Sequence, residues 1–154
     1  MKRYEIVKNY VYSQYAKIYN DTIRIEALSH TSQVDTCATM LAMARNLDVE
    51  LCKIIALLHD FGQFTQNCPH AEHARIGSIL ASKYLIETEL FTQEEIDNIS
   101  YAISQHSKKA DYDNPFCECI KDADLLARFF TNPTIELNAT KKQRLLDACA
   151  DLGN

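Results

Sequence analysis

Turn-forming residues are scarce in this chain: three glycines and three prolines among 154 residues, with no tryptophan at all. Many-stranded sandwiches and barrels reverse direction every ~8–12 residues and lean on such residues to do so, which excludes those architectures first. No apolar run approaches the ~18 residues that would cross a bilayer. The opening MKRYEIVKNYVYSQY has basic residues but no uninterrupted apolar stretch behind them, so no secretory leader is expected. Positive charge is not in excess either. Sixteen Lys and Arg against 21 Asp and Glu leave a formal net charge of −5, which offers no general field for a nucleic-acid polymer or an anionic membrane. A glycine-rich phosphate loop is also missing. What is present, 47% apolar and 24% charged residues, suits one soluble globular domain of ~150 residues. The expectation is a single cytoplasmic domain over residues 1–154.

Six cysteines remain to be placed. Cys37, Cys52 and Cys149 fall in apolar helical runs, where a thiol acts as a small hydrophobe. Cys117 and Cys119 form a CxC, with no second pair to complete a tetrahedral metal site. A reduced setting fits better than a disulfide framework.

Hydrophobic period reads as helix almost throughout. Residues 4–18 carry a loose amphipathic pattern, and residues 27–48 a clear stripe of Val34, Cys37, Ala38, Leu41 and Ala44. VELCKIIALLHDFG is a short, very apolar helix ended by Gly62, and QFTQNCPH (63–70) reads as a loop. HAEHARIGSILASKYLIE is the next helix. Thr92 with Glu95 three residues later opens another as a capping box. FCECIKDADLLARFF follows, broken by Asn132 and Pro133, and KKQRLLDACADL is last. The fold class is all-α, a compact bundle of about six to seven helices.

Histidines supply the chemistry. Of the five, His30, His59, His73 and His106 each continue the apolar stripe of their own helix near one end, and Asp124 does the same between Ile120 and Ala127. Burying unpaired imidazoles and carboxylates costs on the order of several kcal/mol, which a divalent cation would offset, because neutral imidazole and ionised carboxylate are its natural ligands. The adjacent His59 and Asp60 point about 100° apart on a helix, so both can serve one centre only if the helix end faces it. Gly62 is expected to let the chain turn away there.

The order His30, then LLHDFGQF with His59 and Asp60, HARIGS with His73, AISQHS with His106, and KDADLL with Asp124 resembles the HD-domain superfamily over roughly residues 25–130. That resemblance implies a helical metal-dependent phosphohydrolase. His30, His59, Asp60 and Asp124 would be the core ligands of one metal, and His73 and His106 match the additional histidines of binuclear members, in which Asp60 bridges. It therefore implies two divalent transition-metal ions, manganese, iron, cobalt, nickel or zinc, with magnesium a further candidate. Asp60, His59, His73 and His106 would surround a metal-activated water. Many members read HDxGK, whereas Gln63 stands here, and this leaves the substrate class open. Size and the HxxxG pattern of His73 to Gly77 are similar to dinucleoside-tetraphosphate hydrolases of the superfamily, so a small phosphorylated substrate, a nucleotide or dinucleotide, is expected. Lys108 and Lys109 just past His106, Arg128 one turn after Asp124, and Gln63 and Arg75 at the presumed opening are the substrate-binding candidates.

The resemblance also covers diiron oxygenases that use the same ligand order, and a non-catalytic nucleotide-sensing module is a third class. His70 is expected on the surface, since a zinc cluster of Cys68, His70 and His73 would compete for His73. Tyr12, Tyr15 and Tyr19 follow helical spacing and are expected to pack rather than to stack on a base. A homodimer through an apolar helix face is the default expectation for oligomeric state.

Overall fold

Short polar side chains decide where the helices begin. Asn20, Asp48, Thr92, Asn114 and Asn138 each accept a hydrogen bond from the backbone N–H three residues on, at Ile23, Leu51, Glu95, Cys117 and Lys141. Caps of this kind are worth about 1 kcal/mol each. Thr92 and Glu95 complete the reciprocal capping box, and Pro115 occupies the first helical position after Asn114, where its missing N–H costs nothing.

The computed structural model describes residues 1–66 and 68–153. Among them are eight helices and no strand: α1 (Lys2–Tyr15), α2 (Asp21–Ala44), α3 (Val49–Leu58), α4 (Phe61–Gln66), α5 (His73–Thr88), α6 (Gln93–Gln105), α7 (Pro115–Thr131) and α8 (Ala139–Leu152). The all-α class is as expected. α3 is the centre, because every residue from Leu51 to Leu58 is buried. A helix apolar on all sides has nowhere else to go. It packs against α1, α2, α6 and α7, while α5 lies along α6 and α2 along α7. Even Lys53 is drawn in, its ammonium 2.8 Å from Asp35. No helix of the described residues is long and apolar enough to cross a membrane.

The structure corrects four sequence expectations. Residues 63–66 are not loop but part of α4, which restarts the helical path when the Phe64 N–H donates to Asp60 O at 3.2 Å. Asn67, also within the expected loop, lies outside the described residues. Gly62 does not end a helix or adopt a left-handed conformation. A Cβ built on it would lie 2.8 Å from Gly77 N and 2.9 Å from Gly77 Cα, so what it provides is the close approach of α4 to α5. Cys149 is exposed, since Leu145 and Ala148 form the buried stripe of α8. Tyr19 lies beyond the end of α1 and is 99% exposed, whereas Tyr15 is completely enclosed.

Candidate metal centre

Three of the four inward histidines sit at helix ends. His59 caps α3, His106 caps α6 and His73 opens α5, while His30 lies within α2 and Asp124 within α7. The last carbonyls of a helix lack an intrahelical donor. His59 Nδ1 donates to Ala56 O and His106 Nδ1 to Ile103 O, both at 2.7 Å. His73 Nδ1 bonds in the same way to His70 O. A carbonyl only accepts, so each Nδ1 carries the proton and each Nε2 presents a bare lone pair to the interior.

Those lone pairs converge on Asp60. His106 Nε2 and His73 Nε2 lie 3.2 and 3.4 Å from Asp60 Oδ1. His59 Nε2 and His30 Nε2 lie 3.3 and 3.5 Å from Asp60 Oδ2. The nitrogens also face one another, His59 with His30 at 3.3 Å and His73 with His106 at 3.1 Å. Asp124 Oδ1 is 3.2 Å from His30 Nε2. Two donor sets result, His30–His59–Asp60 and Asp60–His73–His106, joined through the two oxygens of one carboxylate. With the Nδ1 protons committed to carbonyls, the facing lone pairs of His73 and His106 repel at such a distance unless something positive lies between them. Metal–ligand bonds of about 2.0–2.2 Å set neighbouring donors of a tetrahedron or octahedron about 3.0–3.5 Å apart, the range seen here. Asp60 Oδ2 is buried and has no aligned hydrogen-bond donor. The donor set therefore fits divalent transition metals.

Electrostatics hold the carboxylates ionised. Burial opposes the charge of Asp60, but the surrounding imidazoles, His59 first and then His106 and His30, keep its carboxyl well below the usual range. For Asp124 burial is again opposed, chiefly by the Lys109 charge and then by His30 and Arg128, with the same downward result. Burial draws His30 down, yet Asp124 and Asp60 outweigh it and raise the imidazole to about 9. Without metal, His30 carries a proton at neutral pH.

The remaining candidates divide. Arg128 is at the centre: its Nε donates to Asp124 Oδ1 at 2.8 Å, Nη2 lies 3.5 Å from Asp60 Oδ2, and the side chain is 48% exposed. Lys109 is drawn inward, its Nζ donating to Asp124 Oδ2 at 2.7 Å and to His106 O at 2.8 Å. Spacing alone made it a surface or phosphate-binding lysine, because nothing in a sequence shows that the chain folds back there. Lys108 is exposed and makes no ion pair among the described residues. Arg75 is spent on Glu72, 2.6 Å away on the surface, and does not join the centre. Gln63 turns a buried Oε1 inward without a partner. His70 is exposed, as expected, and its ring stacks on His73 at 4.7 Å. The zinc cluster does not form, because both His73 nitrogens are engaged elsewhere and Cys68 Sγ rests on Gly62 O.

Comparison with known proteins agrees with this arrangement. Residues 27–128, which contain all six converging side chains, match the HD domain family model. Ribonuclease Y of Petrotoga mobilis is 29% identical over 102 residues, 66% of this chain; the match spans only 18% of that relative. A crystal structure described as a predicted HD superfamily hydrolase, from an uncultured Thermotogales bacterium, superposes with a TM-score of 0.68 at 25% identity. That match covers 95% of this chain and 84% of the other.

Proposed function

This chain belongs to the HD domain family, and from that premise we propose that it is a metal-dependent phosphohydrolase acting on a small phosphate ester, a nucleotide or dinucleotide. The observation that carries the reading is the pair of donor sets sharing Asp60. His30, His59, Asp60 and Asp124 would hold one divalent ion, and Asp60, His73 and His106 a second. Such a pair supplies a water acidic enough to be hydroxide near neutral pH and positive charge for the phosphoryl oxygens. The protein's own part is orientation. The Nδ1 bonds to helix-end carbonyls fix each imidazole, and Lys109 with Arg128 fixes Asp124 from two sides. Arg128 keeps much of its guanidinium in solvent, where it can fork onto a phosphate. Lys108, exposed two residues past His106, would add a second cation, and Gln63 a neutral hydrogen-bonding group. A ribonuclease cleaves phosphodiesters, so the relative of that name supports phosphorus–oxygen chemistry. The net charge of −5 favours a small anion over a polymer.

The test is phosphate release from a panel of nucleotides, dinucleotides and sugar phosphates, with manganese, cobalt, nickel, iron or magnesium added. Turnover that needs metal and disappears in Asp60→Ala is expected. Two metals bound per chain with no release from any substrate would overturn the hydrolase reading in favour of oxygen chemistry or sensing.

A further inference from the structure

α1 and α5 both pack on α4 without meeting each other: no Cα of one helix comes within 8 Å of a Cα of the other. The gap between them is a cleft of about 510 Å³, and none of the six converging side chains lines it. Its walls are aromatic. Tyr10 of α1 stacks on Tyr84 of α5 with ring centres 3.7 Å apart and 8° between the planes. The Tyr10 ring also lies 5.6 Å from Phe61 of α4, and Phe64 adds a fourth ring to the lining.

The polar groups of the cleft are uncommitted. Lys83 and Glu87 stand one turn apart on α5, both exposed, and neither makes an ion pair among the described residues. Lys17, just past the end of α1, is exposed, and its Nζ bonds to Gln14 Oε1 at 3.2 Å. Burial pushes the Tyr10 and Tyr84 phenols up, with the Glu87 charge adding to the shift at Tyr10, so both stay protonated and can donate.

Rings left around an open volume forgo apolar burial that closure would supply, at about 25 cal/mol per Å². Small-molecule sites have this make-up: roughly 300–1,000 Å³, apolar and aromatic walls, and a few polar groups that fix orientation. Aromatic walls suit a planar ring, which gains from stacked or edge-on contact. Two ammonium groups against one carboxylate give the cleft a positive balance, although the chain as a whole carries −5. That balance selects an anion, and Glu87 can accept from an amino or hydroxyl group of the same ligand.

We propose that the cleft between α1, α4 and α5 binds a planar aromatic anion of mononucleotide size, its ring against Tyr10, Tyr84 and Phe61 and its anionic group held by Lys17 and Lys83. The site goes beyond the hydrolase reading and does not depend on it, since no residue of the metal centre takes part.

The experiment is titration calorimetry in the presence of EDTA, with adenosine monophosphate as the probe and adenosine and inorganic phosphate as its two halves. Wild type is compared with Lys83→Glu, Tyr84→Leu and Arg128→Ala, and thermal midpoints check that each variant is folded. Expected is a site for adenosine monophosphate that survives Arg128→Ala and binds each half more weakly than the whole. Lys83→Glu should weaken it by about 10–100-fold, the cost of losing a hydrogen bond to a charged group, and a folded Tyr84→Leu should weaken it too. Because Lys83 is on the surface, its variant keeps the test sharp even if Tyr84→Leu unfolds. Adenosine binding as tightly as the nucleotide would overturn the role of the lysines and with it the proposal. Inorganic phosphate binding as tightly would do the same for the rings. Binding lost in Arg128→Ala but kept in Lys83→Glu would place the nucleotide at the metal centre, and no binding at millimolar nucleotide would leave the cleft without this ligand; either overturns the proposal and leaves the hydrolase reading to its own test.

Discussion

At the scale of single residues, His30 links the centre to pH. Raised to about 9 by Asp124 and Asp60 against the pull of burial, it holds a proton in the metal-free chain that a coordinated imidazole must give up. Below that value, each pH unit should strengthen Mn²⁺ binding by about tenfold, levelling off above it. Titration calorimetry at pH 6.5, 7.5 and 8.5 in buffers of different ionisation enthalpy reads both the affinity and the proton released; a flat affinity with no proton release would remove His30 from the ligands. The sign for stability is opposite. A group whose folded pKa is raised stabilises fully below its ordinary 6.5 and loses that contribution as pH climbs towards 9. The metal-free midpoint should therefore decline across that window.

Among the elements, α4 has the tightest constraint. Gly62→Ala would push a methyl to 2.8 Å from the Gly77 backbone nitrogen, and backbone cannot swing aside as a side chain does. The expected loss is about 1–3 kcal/mol of stability, the range for overpacking. Metal affinity should fall with it, because Asp60 sits two residues upstream. Gly77→Ala meets His59 O at 3.4 Å and should be milder, which makes denaturant unfolding of the two variants a paired test. If Gly77→Ala proves the worse, the close approach has been assigned to the wrong glycine. Here too lies the boundary of what the sequence makes legible. Thr92 and Glu95 announce their helix by local chemistry, and the stripes of α3 and α6 follow from period. Six residues of α4 are too few to show a period, and the contact that makes Gly62 necessary is tertiary. His30, His59, His73, His106 and Asp124 were legible because each extends an apolar stripe, and Asp60 because it stands directly beside His59. Lys109 was not, since its partner Asp124 lies 15 residues on and only folding shows which way the ammonium turns.

For the molecule as a whole, a buried charge cluster ties α8 to the rest. Arg144 bonds Asp122 at 2.7 Å and Glu118 at 2.6 Å, and its other donors reach Lys109 O at 2.8 Å and Asp111 O at 3.1 Å. Arg45 reaches the same Asp122 from the end of α2 at 2.7 Å. α8 thereby steadies the segment from which Lys109 grips Asp124. Burial works against the charge on Glu118, but Arg144 and Lys121 prevail and hold it below its ordinary 4.5. A lowered carboxylate contributes fully above that value, and the contribution drains away as pH falls through the depressed one. Thermal midpoints between pH 6 and 3 should drop below about 4.5, the ordinary carboxylate value, and Arg144→Met should flatten the drop. Equal acid sensitivity in both proteins would place its origin elsewhere.

The six converging side chains are far apart along the chain: 29 residues separate His30 from His59, and 33 separate His73 from His106. Gathering them closes several long loops at once, so no short fragment can hold the ion before the helices have docked. An ion bound there would act as a latch rather than a seed: arriving after the folding barrier has been crossed, it should leave the refolding rate unchanged and lengthen the lifetime of the native state.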